Sequence, residues 1–115
     1  TIIMYKVDTS LIFNGLGTIA TENIAYGVLI DTWVSKIRVD NIRCLSQDNM
    51  TDIWFEYPGL GRYANHSETP NTYYVLDGDN VNIFSNGILI NEEITVNYNW
   101  CTSITGYIID LTNFK

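Results

Sequence analysis

Leu60-Gly61-Arg62-Tyr63-Ala64-Asn65-His66-Ser67-Glu68-Thr69-Pro70-Asn71 is the stretch whose reading decides the fold. It holds the only histidine of the chain and one of its two prolines. Asn65, His66, Ser67 and Asn71 are polar groups that bond readily to nearby backbone, so the segment is expected to turn rather than run on as a long helix or strand. Leu60 to Asn65 has room for one helical turn. A compact polar knot between apolar, aromatic-rich flanks is where a site would be built.

Working outward, the flanks read as short strands. Thr51 to Tyr57 precedes the knot and is closed by Pro58-Gly59. Thr72 to Leu76 and Val81 to Ser85 follow it, joined by Asp77-Gly78-Asp79-Asn80, a strong hairpin signal because Gly and Asn supply positive φ. After a turn at Asn86-Gly87, the residues Ile94, Val96, Tyr98 and Trp100 alternate with Thr95, Asn97 and Asn99. That period predicts a half-buried strand over 94–100. Toward the N-terminus, Ile2 to Val7 reads as an opening strand carried on by Leu11 to Phe13. Asn14-Gly15-Leu16-Gly17 is a tight turn, Thr18-Ile19-Ala20 a short strand, and Val28-Leu29-Ile30 a strand start after Tyr26-Gly27. Asp31 to Leu45 fits neither period cleanly, and its β-branched residues (Val39 and Ile42 among them) favour strand. Tyr107-Ile108-Ile109 is an apolar run without a clear period. No window gives a convincing amphipathic helix, and the fold class is mostly β.

Composition narrows the function classes. The 115 residues suit one domain spanning 1–115, with 46% hydrophobic content to fill a core. No apolar run approaches the ~20 residues of a membrane span, and the N-terminus lacks the pattern of a secretory leader, so an intracellular protein is expected. Thirteen acids against six bases give a net charge of −7, the wrong sign for tracking a nucleic-acid backbone. The same surplus suits a basic, Lys/Arg-rich partner, although excess acid also simply keeps a small protein soluble. Cys44 and Cys101, far apart and without a nearby ligand set, point to reduced thiols rather than zinc, and no metal is expected.

Three pieces line up in order: Gly15-Leu16-Gly17-Thr18-Ile19-Ala20-Thr21, then Gly61-Arg62-Tyr63-Ala64-Asn65-His66-Ser67 with Pro70-Asn71, then Glu92-Glu93-Ile94-Thr95-Val96-Asn97-Tyr98. Together, and with Ile24-Ala25-Tyr26-Gly27 between them, they resemble the SET-domain protein lysine methyltransferases over positions 10–100, leaving 101–115 as a tail. The glycine piece and the Glu-Glu-Ile piece are weak alone; Asn-His-Ser followed by Pro-Asn is specific. Asn91 stands where the family usually has Gly, and Asn97 where it commonly has Asp, a change that would loosen the fixing of Tyr98. The Cys-rich zinc segments of larger members are absent, as in minimal viral and microbial versions.

The resemblance implies several short, curved β-sheets around a C-terminal pseudoknot with little helix. It implies transfer of a methyl group from S-adenosylmethionine to a lysine ε-amine of a basic protein such as a histone tail, releasing S-adenosylhomocysteine. Gly15, Leu16, Gly17 and Thr18 would approach the cofactor by their backbones. Tyr63, Asn65 and His66 would complete the pocket, with Arg62 bracing the knot and Tyr107 or Phe114 covering the adenine. His66 is not expected to act as a base. Tyr98 would be the catalytic hydroxyl, and Trp33, Tyr74, Tyr98 and Trp100 would line the lysine channel. Each of these aromatics taken singly is more often core, since 15 aromatics must pack somewhere. Groove acids would come from Glu56, Glu68, Asp77 and Asp79, and a homodimer would supply a groove wall that so short a chain lacks. The compartment would be cytoplasm or nucleus, the host's if the protein is viral. Two alternatives stay open: a non-catalytic SET-like module that binds a basic peptide or the cofactor without turnover, and a small β-sandwich binding module.

Overall fold

A computed structural model describes residues 3–38 and 43–108. Nine strands and two short helices follow one another among them: β1 Tyr5–Thr9, β2 Leu16–Ala20, β3 Leu29–Ser35, β4 Arg43–Leu45, β5 Trp54–Glu56, α1 Leu60–Tyr63, β6 Asn65–His66, β7 Thr72–Asp77, β8 Asn80–Ser85, β9 Glu93–Val96 and α2 Tyr98–Thr105. The strands form a four-stranded sheet in the order β1-β2-β9-β6 and a five-stranded sheet in the order β4-β5-β3-β8-β7. The architecture is mostly β, as expected.

The second sheet is built on local signals. The β7–β8 hairpin closes on the pair Asp77↔Asn80, with Gly78 at φ +60° in the turn. Along β8 the inward residues alternate as Val81, Ile83 and Ser85, each fully buried. Strand β3 pairs with β8 and carries two register shifts, Leu29/Asp31 and Thr32/Val34, which bend it. Side chains from both sheets and both helices meet in one cluster that includes Trp33, Val34, Leu60, Val81, Ile83, Ile94, Val96 and Cys101. Burying each large apolar side chain there contributes roughly 1.5–3 kcal/mol.

Several sequence expectations are corrected. The strand over 94–100 stops at Val96, and Tyr98–Thr105 is helical. Asn97 causes the change: its backbone is extended and its side chain accepts from the Asn99 N–H at 2.9 Å, which starts α2, while Gly106 at φ +81° ends it. Nor is β9 half-buried. All four of its residues are buried, because strands flank it on both edges and packed side chains cover both faces. Leu11 to Phe13 does not extend β1, because the Ser10 hydroxyl accepts from the Ile12 and Phe13 amides and curls the chain into a turn. Gly17 belongs to β2 rather than to that turn. Of the run 51–57 the strand covers Trp54–Glu56, and β3 begins at Leu29. The single helical turn of 60–63 is as expected. Ile2, Val39, Ile42, Ile109 and Phe114 lie outside the described residues.

Asn91 adopts φ +71°, the left-handed conformation for which glycine would be the usual choice. Its amide reaches the Ala20 carbonyl at 2.8 Å, so the substitution keeps the turn that leads into β9.

Candidate functional site

Strand β9 gathers the three motifs. It runs antiparallel to β2 through Thr18↔Ile94 and Ile19↔Glu93, and parallel to β6 through Asn65↔Thr95 and His66↔Val96. The Asn71 side chain fastens the far side. Its amide nitrogen donates to the Glu93 carbonyl at 2.8 Å and its oxygen accepts from the Thr95 N–H at 3.0 Å. The Pro-Asn end of the knot thus imitates a neighbouring strand.

Asn65 is buried, and its orientation is fixed by two acceptors: Nδ2 donates to the Leu16 carbonyl at 3.0 Å and to Glu93 Oε2 at 2.8 Å. Among the described residues no hydrogen bond reaches its amide oxygen, which keeps some exposure. Gly17 closes the triangle. A Cβ there would lie 2.5 Å from Glu93 Oε2 and 2.9 Å from Asn65 Nδ2.

His66 and Tyr98 are coupled. The Tyr98 N–H donates to His66 Nδ1 at 2.9 Å, and the two rings lie 5.1 Å apart. Because Nδ1 accepts, the proton of the neutral ring resides on Nε2, which faces Glu68 Oε1 at 3.0 Å. Both ring nitrogens therefore have partners within the protein. The Tyr98 hydroxyl donates to the Ala64 carbonyl at 2.8 Å. Burial first, and then the charges of Glu56 and Glu93, push its pKa up to about 12, so it remains a neutral phenol. Tyr98 is therefore held by the knot at its main-chain amide through His66 and at its hydroxyl through the Ala64 carbonyl.

Of the expected channel residues, Trp33, Trp100 and Tyr74 form a run: Trp100 meets Trp33 edge-on at 6.4 Å and Tyr74 at 5.3 Å. Trp33 is core, Trp100 half-buried and Tyr74 exposed, so the run leads from the interior to the surface. Tyr98 precedes Trp100 by two residues in α2.

Other expected residues are dispersed. Gly15 sits in the exposed turn, its amide bonded to the Phe13 carbonyl at 3.0 Å. Thr18 is fully buried and uses its hydroxyl on the Ile94 carbonyl at 3.0 Å. Arg62 is exposed, its guanidinium 5.9 Å from the Tyr63 ring centre, rather than woven into the knot. Tyr107 packs against the edge of the core. Among the acids, Asp77 ends β7 and Asp79 lies in the hairpin turn, and Glu68 serves His66. Glu56 is half-buried, 4.0 Å from Arg43. Burial raises its pKa, with Arg43 and Arg62 partly offsetting that.

Glu93 is the residue that sequence reasoning missed. It is buried, accepts from the Ser10 hydroxyl at 2.8 Å, the Leu11 N–H at 2.6 Å and Asn65 Nδ2 at 2.8 Å, and has no ion-pair partner among the described residues. A polar residue at a strand start carries no local sign of burial. The only available hint was its place in the Glu-Glu-Ile piece.

No family model and no curated protein matches the chain. Among solved structures, the crystal structure of a Plasmodium falciparum protein described as a candidate histone methyltransferase aligns with 85% of this chain and 95% of its own, at TM-score 0.58 and 24% identity. At that identity the likeness is one of fold. It agrees with the mostly β, several-sheeted, SET-like architecture described above.

Proposed function

We propose that the protein transfers a methyl group from S-adenosylmethionine to the ε-amine of a lysine in a basic protein such as a histone tail. The observation that carries this reading is the convergence of Leu16–Gly17, Asn65-His66 and Tyr98 around β9. The donor set suits such a cofactor. The accessible amide oxygen of Asn65 is an acceptor for an ammonium group, and Leu16, 52% exposed beside it, offers apolar surface. When bound, the cofactor supplies a methyl on a sulfonium, an electrophile that needs no metal to be transferred.

This chain's residues would do the rest. Leu16, Gly17, Asn65 and the main chain of His66 would hold the cofactor, with Gly15, Thr18, Arg62 and Tyr63 around them. The Tyr98 phenol, a neutral dipole anchored on Ala64, would position the reacting groups without reorganising. Trp33, Trp100 and Tyr74 would form the wall of a lysine channel, where aromatic faces attract the ammonium and exclusion of water favours the neutral amine. Glu56 and the acids of the β7–β8 turn would steer a basic peptide inward. On this reading the protein works inside a cell, in cytoplasm or nucleus.

A homodimer is part of the proposal. Among the described residues β7 is an edge strand, and it exposes Tyr74, Val75 and Leu76 in succession, an edge that a second copy could extend.

Purified protein mixed with methyl-labelled S-adenosylmethionine and core histones is expected to label a histone band, and calorimetry to register cofactor binding. Binding without labelling would favour the non-catalytic module. Absence of binding would end both readings in favour of a plain β binding domain.

A further inference from the structure

We propose that Glu93 is the positioning residue that locks Asn65 and the Ser10–Leu11 turn against Gly17 and so sets the cofactor-facing geometry of the site; this rests on the reading given above. One carboxylate joins three segments distant in sequence. Oε1 takes the Leu11 N–H at 2.6 Å, Oε2 takes Asn65 Nδ2 at 2.8 Å, and the Ser10 hydroxyl bridges both oxygens at 2.8 and 2.9 Å. Ser10 in turn holds the Ile12 and Phe13 amides at 3.1 and 2.9 Å, so the shape of the β1–β2 turn depends on the same carboxylate.

A buried charge is unfavourable unless its lone pairs are satisfied. Here three donors satisfy them, and only an acceptor-only group can receive all three. A glutamine of the same shape would turn one arm into a donor, facing either the Leu11 amide or the Asn65 amide. Asn65 would then lose the contact that aims its free oxygen outward. The requirement for glycine at 17 follows from the same carboxylate, because a Cβ would sit 2.5 Å from Oε2. Gly17, Asn65 and Glu93 therefore form one interlocking unit in which Glu93 acts on the cofactor only through its neighbours.

The test uses the whole chain, with Glu93→Gln, Ser10→Ala and, as control, Glu92→Gln. Glu92 is exposed and, among the described residues, its side chain bonds only the nearby Leu89 amide, so its variant should bind as wild type does. Two readouts are needed: calorimetric titration with S-adenosylhomocysteine, and NMR of the Leu11 backbone amide and the Asn65 side-chain amide without ligand. Glu93→Gln is expected to weaken binding about 10- to 100-fold, the scale of a charge-assisted hydrogen bond. The amide that meets the new NH2 group, Leu11 or Asn65, should also lose its protection from exchange. Binding within twofold of wild type, or unchanged exchange at both amides, overturns the proposal. If wild type binds no cofactor, the methyltransferase reading falls and the amide exchange alone decides the positioning role. Should Glu93→Gln not fold, Ser10→Ala, which removes one donor, is expected to show a smaller loss in the same two readouts, and its failure to do so overturns the proposal.

Discussion

Gly17 has no room for a methyl group. Its neighbours are a carboxylate oxygen and an amide nitrogen that are themselves bonded to each other, so neither can retreat without breaking that bond. Gly17→Ala is expected to cost ~1–3 kcal/mol, the usual penalty for overpacking, visible as a lower urea midpoint. Tyr98 gives a pH prediction. The phenol ionises near the ordinary value of ~10 in the unfolded chain but near 12 when folded. Between those values the unfolded state has lost a proton that the folded state keeps. Stability is thus intact below about pH 10 and falls as pH rises toward 12. Ultraviolet titration of tyrosinate in wild type and Tyr98→Phe should show one late-titrating phenol missing in the variant. In the proposed reaction the same variant should lower the rate or change the number of methyls added. Asn65, His66 and Tyr98 were legible because their spacing belongs to a recognisable pattern. Glu93 was not, because its burial is decided by donors from Ser10, Leu11 and Asn65, up to 83 positions away.

At the scale of elements, α2 hangs on the residue that precedes it. Asn97→Ala removes the cap on the Asn99 amide and should cost about 1 kcal/mol in urea denaturation. Asn97→Asp keeps the cap, adds a charge favoured at a helix N-terminus, and should match or exceed wild type by ~0.3–1 kcal/mol. In the turn before β9, Asn91→Gly should be nearly neutral, whereas Asn91→Val should cost roughly 1–2 kcal/mol at φ +71°. The β7–β8 hairpin could be read from four residues because its turn chemistry is local. Helix α2 could not: the alternation Ile94, Val96, Tyr98, Trp100 continues by coincidence across Asn97, and its buried side, Tyr98, Cys101 and Thr105, is only partly apolar. Asn97 and Gly106 were the cap signals that mark its limits. Strand β9 shows the converse, since nothing in a polar–apolar alternation announces that both faces will be covered.

For the whole molecule, the exposed β7 edge allows a direct test of self-association. Light scattering should give twice the chain mass for wild type, and Val75→Lys, a charge placed on that edge, should restore a single copy. A single copy for wild type would end the homodimer proposal. The same sheet arrangement bears on how the protein comes into being. Strand β9 lies between β2, from the first fifth of the sequence, and β6, from beyond its midpoint. During synthesis neither neighbour can complete its hydrogen bonding until residue 96 has left the ribosome, so the first sheet must wait unfinished after every strand of the second has emerged. Such late closure predicts slow refolding for so small a protein, and a nascent chain halted before Glu93 should remain sensitive to protease throughout the first sheet.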